Sequence, residues 1–174
     1  MCMSIPPCMN TLPFDGSQLE QYMRRCMELA IKANAERIRR PYVGAIVVVP
    51  DGRIVGEGHR TVISGTNLLV HAERDALDKA DSQARGSYLF TTLEPCAISF
   101  GNRIFAPCAE LIVERGIHTV VYGLLDNSPT MQSGRGVDYL TRHRVSAIRY
   151  DGPHADAIRH DIRRELMPWQ AGKR

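Results

Sequence analysis

The feature that most restricts the fold is an alternation of short apolar strands with helices of two to three turns. The β-branched run 43–49 is followed by Pro50-Asp51-Gly52, a turn sequence, and then by residues 53–56, so the sequence predicts a β-hairpin. Further elements are predicted in the order helix 72–80, strand 88–92, helix 107–116, strand 118–122, helix 137–143 and strand 145–150. Such alternation indicates an α/β fold with a mixed, largely parallel sheet of five strands, covered by helices.

The length of the chain fits one globular domain. It has 174 residues, of which 44% are hydrophobic and 24% charged. Folding at this length buries roughly 70% of the extended-chain surface, which suffices for one core but not for two enzymatic domains. Residues 1–16 contain three prolines and no periodicity, so we expect a flexible leader there and a single domain over 17–174. The first helix is predicted over 17–39, with Ser17 and Glu20 at capping-box spacing.

Composition also excludes several classes of protein. The longest strongly apolar stretch, 43–49, is far shorter than the ~20 residues of a membrane-spanning helix, and the N-terminus has no secretion-signal pattern, so we expect a cytoplasmic protein with no membrane partner. With 22 basic and 19 acidic residues, the net charge of +3 does not indicate a nucleic-acid-binding surface. The five cysteines are too widely spaced for a small disulfide scaffold and are typical of ligands or buried thiols.

Chemistry is concentrated in three short motifs: His71-Ala72-Glu73, Pro95-Cys96 and Pro107-Cys108. Each alone has an ordinary interpretation, since most single cysteines in apolar segments are buried core residues. Together, however, the three motifs occupy positions that suit one shared ligand site. His71 and Glu73 open a helix at a sheet edge, Cys96 follows a strand, and Cys108 starts a helix whose dipole favours a thiolate.

One imidazole and two thiolates match a catalytic zinc site, which has three protein ligands and leaves a position for water. The sequence therefore predicts that His71, Cys96 and Cys108 bind Zn²⁺. A zinc ion in such a site lowers the pKa of bound water to about 7, and Glu73 would shuttle the proton to a leaving amine.

These residues resemble the zinc-dependent cytidine deaminase superfamily, whose signature is H-x-E followed by P-C-x-x-C. The resemblance extends over about residues 19–150 and is closest to the diaminohydroxyphosphoribosylaminopyrimidine deaminase branch of riboflavin biosynthesis. The motifs of this branch are found here as Tyr42-Val43-Gly44-Ala45-Ile46-Val47, Gly56-Glu57-Gly58-His59, His71-Ala72-Glu73-Arg74-Asp75-Ala76-Leu77, Thr92-Leu93-Glu94-Pro95-Cys96, Pro107-Cys108-Ala109-Glu110 and Ser133-Gly134-Arg135-Gly136.

The resemblance implies a three-layer αβα cytidine-deaminase-like fold with helices on both faces of the sheet. It also implies one Zn²⁺ per subunit, a small heterocyclic substrate and a homodimer or homotetramer, while the net charge of +3 argues against nucleic acid as a partner. The implied reaction is hydrolytic release of ammonia from an amino-substituted pyrimidine or related N-heterocycle.

The chain departs from its branch around the expected substrate pocket. Residues 97–107 separate the two ligand cysteines, where the commonest pattern has only two residues, and this segment is unusually apolar. Asn102 and Arg103, within it, resemble polar positions that help hold a phosphorylated substrate, although they also fit a solvated loop tip.

Three further side chains are substrate-binding candidates, each with an alternative. His59 matches a position that faces substrate in related deaminases, but also fits a structural histidine. Asn67 fits either recognition of an amide edge or a turn, and Tyr42 fits either stacking on a heterocycle or core packing.

The sequence leaves the substrate open. A riboflavin-pathway-like aminopyrimidine nucleotide, or an analogue from specialised metabolism, is the leading interpretation. A nucleoside, nucleobase or tRNA adenosine deaminase is the enzymatic alternative, and for tRNA it requires a basic groove that accepts a flipped base. The non-enzymatic alternative is a structural zinc module with a fourth ligand such as His118. Arg159, Arg163 and Arg164 are predicted to form a solvated helix face.

Overall fold

A computed structural model describes residues 12–36, 41–98, 104–127 and 133–166. The described elements are, in chain order, α1 (Gly16–Ala35), β1 (Gly44–Val48), β2 (Ile54–His59), β3 (Thr61–Val62), β4 (Leu69–Val70), α2 (Ala72–Ala80), β5 (Tyr88–Leu93), α3 (Cys108–Glu114), β6 (Thr119–Leu124), α4 (Arg135–Arg142), β7 (Ser146–Arg149) and α5 (Ala155–Asp161). A 3₁₀ turn, Asp81–Ala84, follows α2, and a π-helical turn, Ile162–Leu166, follows α5. None of the described helices has the length and apolar character needed to cross a membrane.

The central sheet has five strands in the order β2-β1-β5-β6-β7. β1 runs antiparallel to both of its neighbours, whereas β5, β6 and β7 are parallel. The predicted mixed five-stranded sheet is therefore confirmed. β1 and β6 are buried along their whole length, as expected of inner strands covered on both faces.

Two glycines of the hairpin show how the helices cover this sheet. A Cβ atom on Gly44 would clash with the carbonyl oxygen of Cys26 in α1, and one on Gly58 would clash with that of Ala72 in α2. Gly58 is paired with Ala45, the neighbour of Gly44, and successive residues of a strand point to opposite faces. Hence α1 and α2 pack on opposite faces, with α3 beside α2, and the predicted three-layer arrangement is confirmed.

The β3–β4 pair is an addition to the predicted fold. Thr61 pairs with Val70 and Val62 with Leu69, which forms a small antiparallel sheet immediately before α2. Its strands have two residues each, too few to produce a visible alternation of apolar and polar side chains. This hairpin determines where the chain enters α2.

The first helix begins differently from the prediction. The backbone N–H of Gln18 donates to the carboxylate of Asp15, and the N–H of Asp15 donates to the side-chain oxygen of Gln18, at 2.9 and 3.0 Å. This reciprocal pair is the capping box, so Ser17 and Glu20 do not form it. Residues 37–39, at the predicted C-terminal end, lie outside the described residues.

The segment before α1 contributes to the core. Phe14, inside the predicted leader, is 7% exposed and packs edge-on against Tyr22 and Tyr88, with ring centroids 5.2 and 5.1 Å apart. Residues 1–11 of that leader lie outside the described part of the chain.

One arginine of the C-terminal region is buried, contrary to the prediction of a solvated face. Arg159 donates to the carbonyl oxygen of Tyr150 and to the carboxylate of Asp156, both at 2.6 Å. It therefore satisfies a backbone acceptor just after β7, while Arg163 and Arg164 are exposed as predicted. The sequence contains no signal for this because the acceptor belongs to another element.

A buried carboxylate fixes the chain around the end of β5. Glu94 is 5% exposed and directly follows this strand. One of its oxygens accepts the N–H groups of Asp126 and Gly134 at 3.2 and 3.0 Å, and the other accepts those of Gly136 and Val137 at 2.9 and 3.2 Å. Glu94 thereby holds the start of α4 and the turn after β6 against the end of β5.

We predict that Glu94→Gln destabilises the protein. The amide NH₂ would face two backbone donors, leaving buried N–H groups without an acceptor at a cost of about 2–3 kcal/mol. For a chain of this length this lowers the Tm by roughly 5–10 °C, measurable by calorimetry.

Glu114→Gln, which removes one exposed carboxylate from α3, is the matched control and should leave the Tm within about 2 °C. Equal melting temperatures for the two variants would contradict the role assigned to Glu94.

Candidate metal centre

Three segments bring the predicted ligands to the carboxyl end of β5. His71 lies between β4 and α2, with extended backbone angles of φ −77° and ψ 153°. Cys96 is the third residue after β5, and Cys108 is the first residue of α3, behind Pro107. Pro107 is the N-cap of this helix, and its φ of −53° is close to the angle that the proline ring imposes. The chain thus places two helix starts next to one strand end, the usual location of ligand sites in α/β folds.

The three side chains have the spacing that a tetrahedral metal requires. The Sγ atoms of Cys96 and Cys108 each lie 3.5 Å from Nδ1 of His71. Zn–S and Zn–N bonds of about 2.3 and 2.0–2.1 Å, at a tetrahedral angle, place sulfur and nitrogen about 3.6 Å apart. Among the described residues these three form the group able to hold a metal ion, with all ligand atoms within 4.8 Å of one another. Donor type and spacing therefore both fit zinc.

Backbone hydrogen bonds join the two cysteine segments directly. The N–H of Cys108 donates to the sulfur of Cys96 at 3.3 Å, and the N–H of Ala109 donates to the Cys96 carbonyl oxygen at 3.0 Å. The start of α3 is therefore fixed to the turn after β5, and a displacement of either segment would move both sulfurs.

The electrostatics favour a thiolate at the site. A hydrogen bond from the Cys108 thiol lowers the pKa of Cys96 below its usual range; burial opposes this shift, and the His71 imidazole assists it. The same hydrogen bond, together with burial, raises the pKa of Cys108. Thiolates are the metal-binding form of cysteine, so a metal ion that binds both sulfurs displaces the proton they share.

Glu73 lies within the site but outside the ligand group. It belongs to the first turn of α2 and is 3% exposed, and its carboxyl group interacts with the imidazole of His71 and the thiols of Cys96 and Cys108. Burial raises the pKa of Glu73 to about 7, against the attraction of the His71 imidazole. A carboxyl group in this pKa range can accept and return a proton at neutral pH.

The predicted substrate-binding residues that the structure describes lie in different surroundings. Tyr42 is buried in the hydrophobic core. His59 Nε2 lies 2.8 Å from a carboxylate oxygen of Glu36, and Asn67 is exposed between β3 and β4. Asn102 and Arg103 lie outside the described residues. A role in substrate binding stays a prediction for all five.

Asp126 and Arg135, to which the sequence analysis assigned no role, line a recess next to Cys96. The recess is bounded by residues 94–98 after β5, by Asp126, and by Arg135 and Gly136 at the start of α4. The Ser-Gly-Arg-Gly motif was a signal for Arg135. Asp126 had none, because its position depends on the hydrogen bond between its N–H and Glu94.

His118 is far from the ligands along the strand direction. It precedes β6, whose first residue, Thr119, is paired with Tyr88 at the start of β5, whereas Cys96 follows the end of β5. Its Nδ1 lies 2.8 Å from the hydroxyl oxygen of Thr119. The suggestion that His118 is a fourth ligand is therefore wrong.

Comparisons with known proteins relate this chain to a family with a zinc-binding region. Residues 16–124 match the family model of the cytidine and deoxycytidylate deaminase zinc-binding region. The chain is 40% identical over 121 residues to riboflavin biosynthesis protein RibD of Aquifex aeolicus, covering 70% of this chain and 32% of that one. It is 39% identical over 126 residues to the diaminohydroxyphosphoribosylamino-pyrimidine deaminase of Buchnera aphidicola (subsp. Schizaphis graminum), covering 72% and 79% of the two chains.

A solved structure shows the same similarity. RibD of Acinetobacter baumannii superimposes with a TM-score of 0.72 at 28% identity, over 91% of this chain and 41% of that one. The chain thus spans less than half of the two RibD proteins but most of the Buchnera deaminase. It belongs to the zinc-dependent cytidine deaminase superfamily, in its riboflavin-biosynthesis branch.

Proposed function

We propose that this deaminase releases ammonia from an aminopyrimidine nucleotide of the type processed in riboflavin biosynthesis, or from a closely related N-heterocycle. The central observation is the triangle of two sulfurs and one ring nitrogen, with the S–N distances at 3.5 Å, beside the buried carboxyl group of Glu73. The substrate class is supported by the name of the Buchnera relative, which matches this chain over most of its length.

His71, Cys96 and Cys108 would hold one Zn²⁺ per subunit. When bound, the ion lowers the pKa of a coordinated water and so supplies a nucleophile near neutral pH. The protein supplies the geometry: the N–H of Cys108 restrains the sulfur of Cys96, and the N-cap position of His71 presents its imidazole to both sulfurs.

Glu73 would transfer the protons. In the reaction a bond forms between the water oxygen and the amine-bearing ring carbon, and the bond from this carbon to the amine nitrogen breaks. Glu73 takes up the proton that the water loses and delivers it to the departing nitrogen, which leaves as ammonia. Burial makes this carboxyl group suitable because it raises the pKa to about 7.

The recess beside Cys96 is the proposed entrance for the substrate. Its arginine, Arg135, can form paired hydrogen bonds with phosphate oxygens. Tyr42, His59, Asn67, Asn102 and Arg103 remain the further candidates for substrate contacts. A homodimer or homotetramer is proposed from the family resemblance, and sedimentation velocity would test it.

Glu73→Gln is expected to retain zinc and lose turnover. The amide preserves size but cannot carry a proton, so kcat should fall by at least about 10³-fold, within the usual range for a lost general acid–base group. Ammonia release and zinc content per chain are the two measurements.

Glu110→Gln is the control for Glu73→Gln, because Glu110 is an exposed carboxylate in the first turn of α3. It should retain both activity and zinc. A Glu73→Gln enzyme with near-normal kcat would refute the proton-transfer role.

Removal of a ligand thiol is expected to weaken zinc binding. Cys96→Ser should lose more affinity than the roughly 10–100-fold that follows from loss of an outer-shell partner, since a direct ligand is replaced. Competition with a chromophoric chelator measures the affinity.

Cys26→Ala is the matched control, because Cys26 is a fully buried thiol of α1 whose sulfur is hydrogen-bonded to the Phe90 carbonyl, outside the ligand group. Full zinc binding by Cys96→Ser, or equal losses in the two variants, would contradict the proposed ligand set.

A substrate panel tests the proposed specificity. Ammonia release should be highest with an aminopyrimidine ribose phosphate and lower with cytosine, cytidine and dCMP, and tRNA should give none even at low salt. Preferential deamination of tRNA or of a free nucleoside would replace the proposed substrate with the corresponding alternative.

A further inference from the structure

Arg74 connects α2 to the segment that leads into the third ligand. Its guanidinium carbon lies 4.9 Å from the ring centroid of Phe105, within the range of a cation–π contact. One of its terminal nitrogens donates to the carbonyl oxygen of Ala106 at 3.0 Å. A single side chain thus contacts two consecutive residues, one through its face and one through its edge.

These contacts lie close in sequence to both Cys108 and Glu73. Ala106 is separated from Cys108 only by Pro107, and Arg74 directly follows Glu73. The first turn of α2 therefore carries the proton-transferring residue and the contact to the Cys108 segment, while His71 precedes the same turn. On its other side, the Cys108 segment is fixed to Cys96 through the N–H groups of Cys108 and Ala109.

We propose that Arg74 is a positioning residue that holds Cys108 at metal-binding distance from His71. Arg74 restrains the segment 105–107 from the side of α2, and the N–H groups of Cys108 and Ala109 restrain it from the side of Cys96. The proposal rests on the proposed function in that it treats His71, Cys96 and Cys108 as zinc ligands.

The contact requires the chemistry of arginine. A guanidinium group is planar, so it can stack on the Phe105 ring and still direct an N–H toward the Ala106 carbonyl. Lysine could make the hydrogen bond or approach the ring, but its single ammonium group does not provide both in this geometry. Lysine at position 74 should therefore recover only part of the effect.

A second arginine provides a matched control within the same pair of helices. Arg115, just after α3, donates to the carbonyl oxygen of Leu77 at 3.2 Å and to the carboxylate of Asp78 at 2.7 Å. It joins the C-terminal ends of α2 and α3, whereas Arg74 acts at their N-terminal ends, where the ligands lie. Both removals weaken the contact between the helices, but only one is next to the ligands.

The test is zinc affinity of the full chain, measured by chelator competition for Arg74→Met, Arg74→Lys, Phe105→Leu and Arg115→Met. We expect a loss of about 10–100-fold for Arg74→Met, as for other partners that orient ligands. Arg74→Lys and Phe105→Leu should lie between this variant and the wild type, and Arg115→Met should stay within about twofold of the wild type. In the cobalt-substituted protein, the thiolate-to-metal absorption should weaken in Arg74→Met and not in Arg115→Met.

The proposal is refuted if Arg74→Met binds zinc within twofold of the wild type, or if Arg115→Met loses as much affinity. If Arg74→Met does not fold, as judged by circular dichroism, Phe105→Leu decides: wild-type affinity in that variant refutes the proposal, and reduced affinity supports it. These measurements need no substrate. A wild-type protein that binds zinc but releases no ammonia would therefore overturn the proposed function and leave this test intact.

Discussion

The candidate metal centre depends on bringing two sulfurs and one ring nitrogen close together from three separate segments of the chain. A parallel arrangement of β5 and β6 makes this possible, because the ends of such strands and the starts of the following helices share one edge of the sheet. His71 and Cys108 use helix starts, and Cys96 uses a strand end. Hydrogen bonds from the N–H groups of Cys108 and Ala109 to Cys96 fix two of these segments relative to each other.

Two buried glutamates near the site show how environment assigns different roles to the same side chain. Glu94 accepts hydrogen bonds from four backbone N–H groups, so both of its carboxylate oxygens hold neighbouring segments in place. Glu73 is buried beside an imidazole and thiols, and burial raises the pKa of its carboxyl group to about 7. A carboxylate satisfied by backbone donors stabilises the fold, whereas one surrounded by groups that exchange protons is suited to catalysis.

The sequence predicted the five strands of the central sheet, most helices and the grouping of His71, Cys96 and Cys108, because apolar periodicity and Pro-Cys pairs are local signals. It did not predict the Asp15 cap, since Ser17 offered an equally good pattern two residues later. The burial of Arg159, the β3–β4 pair and the network around Glu94 depend on partners distant in sequence or on strands of two residues. Such contacts follow from the assembled fold, so no local pattern reveals them.

Residues 71–74 form a compact part of the candidate site. Four consecutive residues, 71–74, contain the candidate ligand His71, the proposed proton carrier Glu73 and Arg74. A hairpin precedes these residues, and the connection between the two cysteines meets them through the contacts of Phe105 and Ala106 with Arg74. A change in the length of those two connections therefore leaves the spacing of residues 71–74 unchanged, whereas a single-residue insertion among these four would rotate the groups on either side of it by about 100° relative to each other around the helix axis.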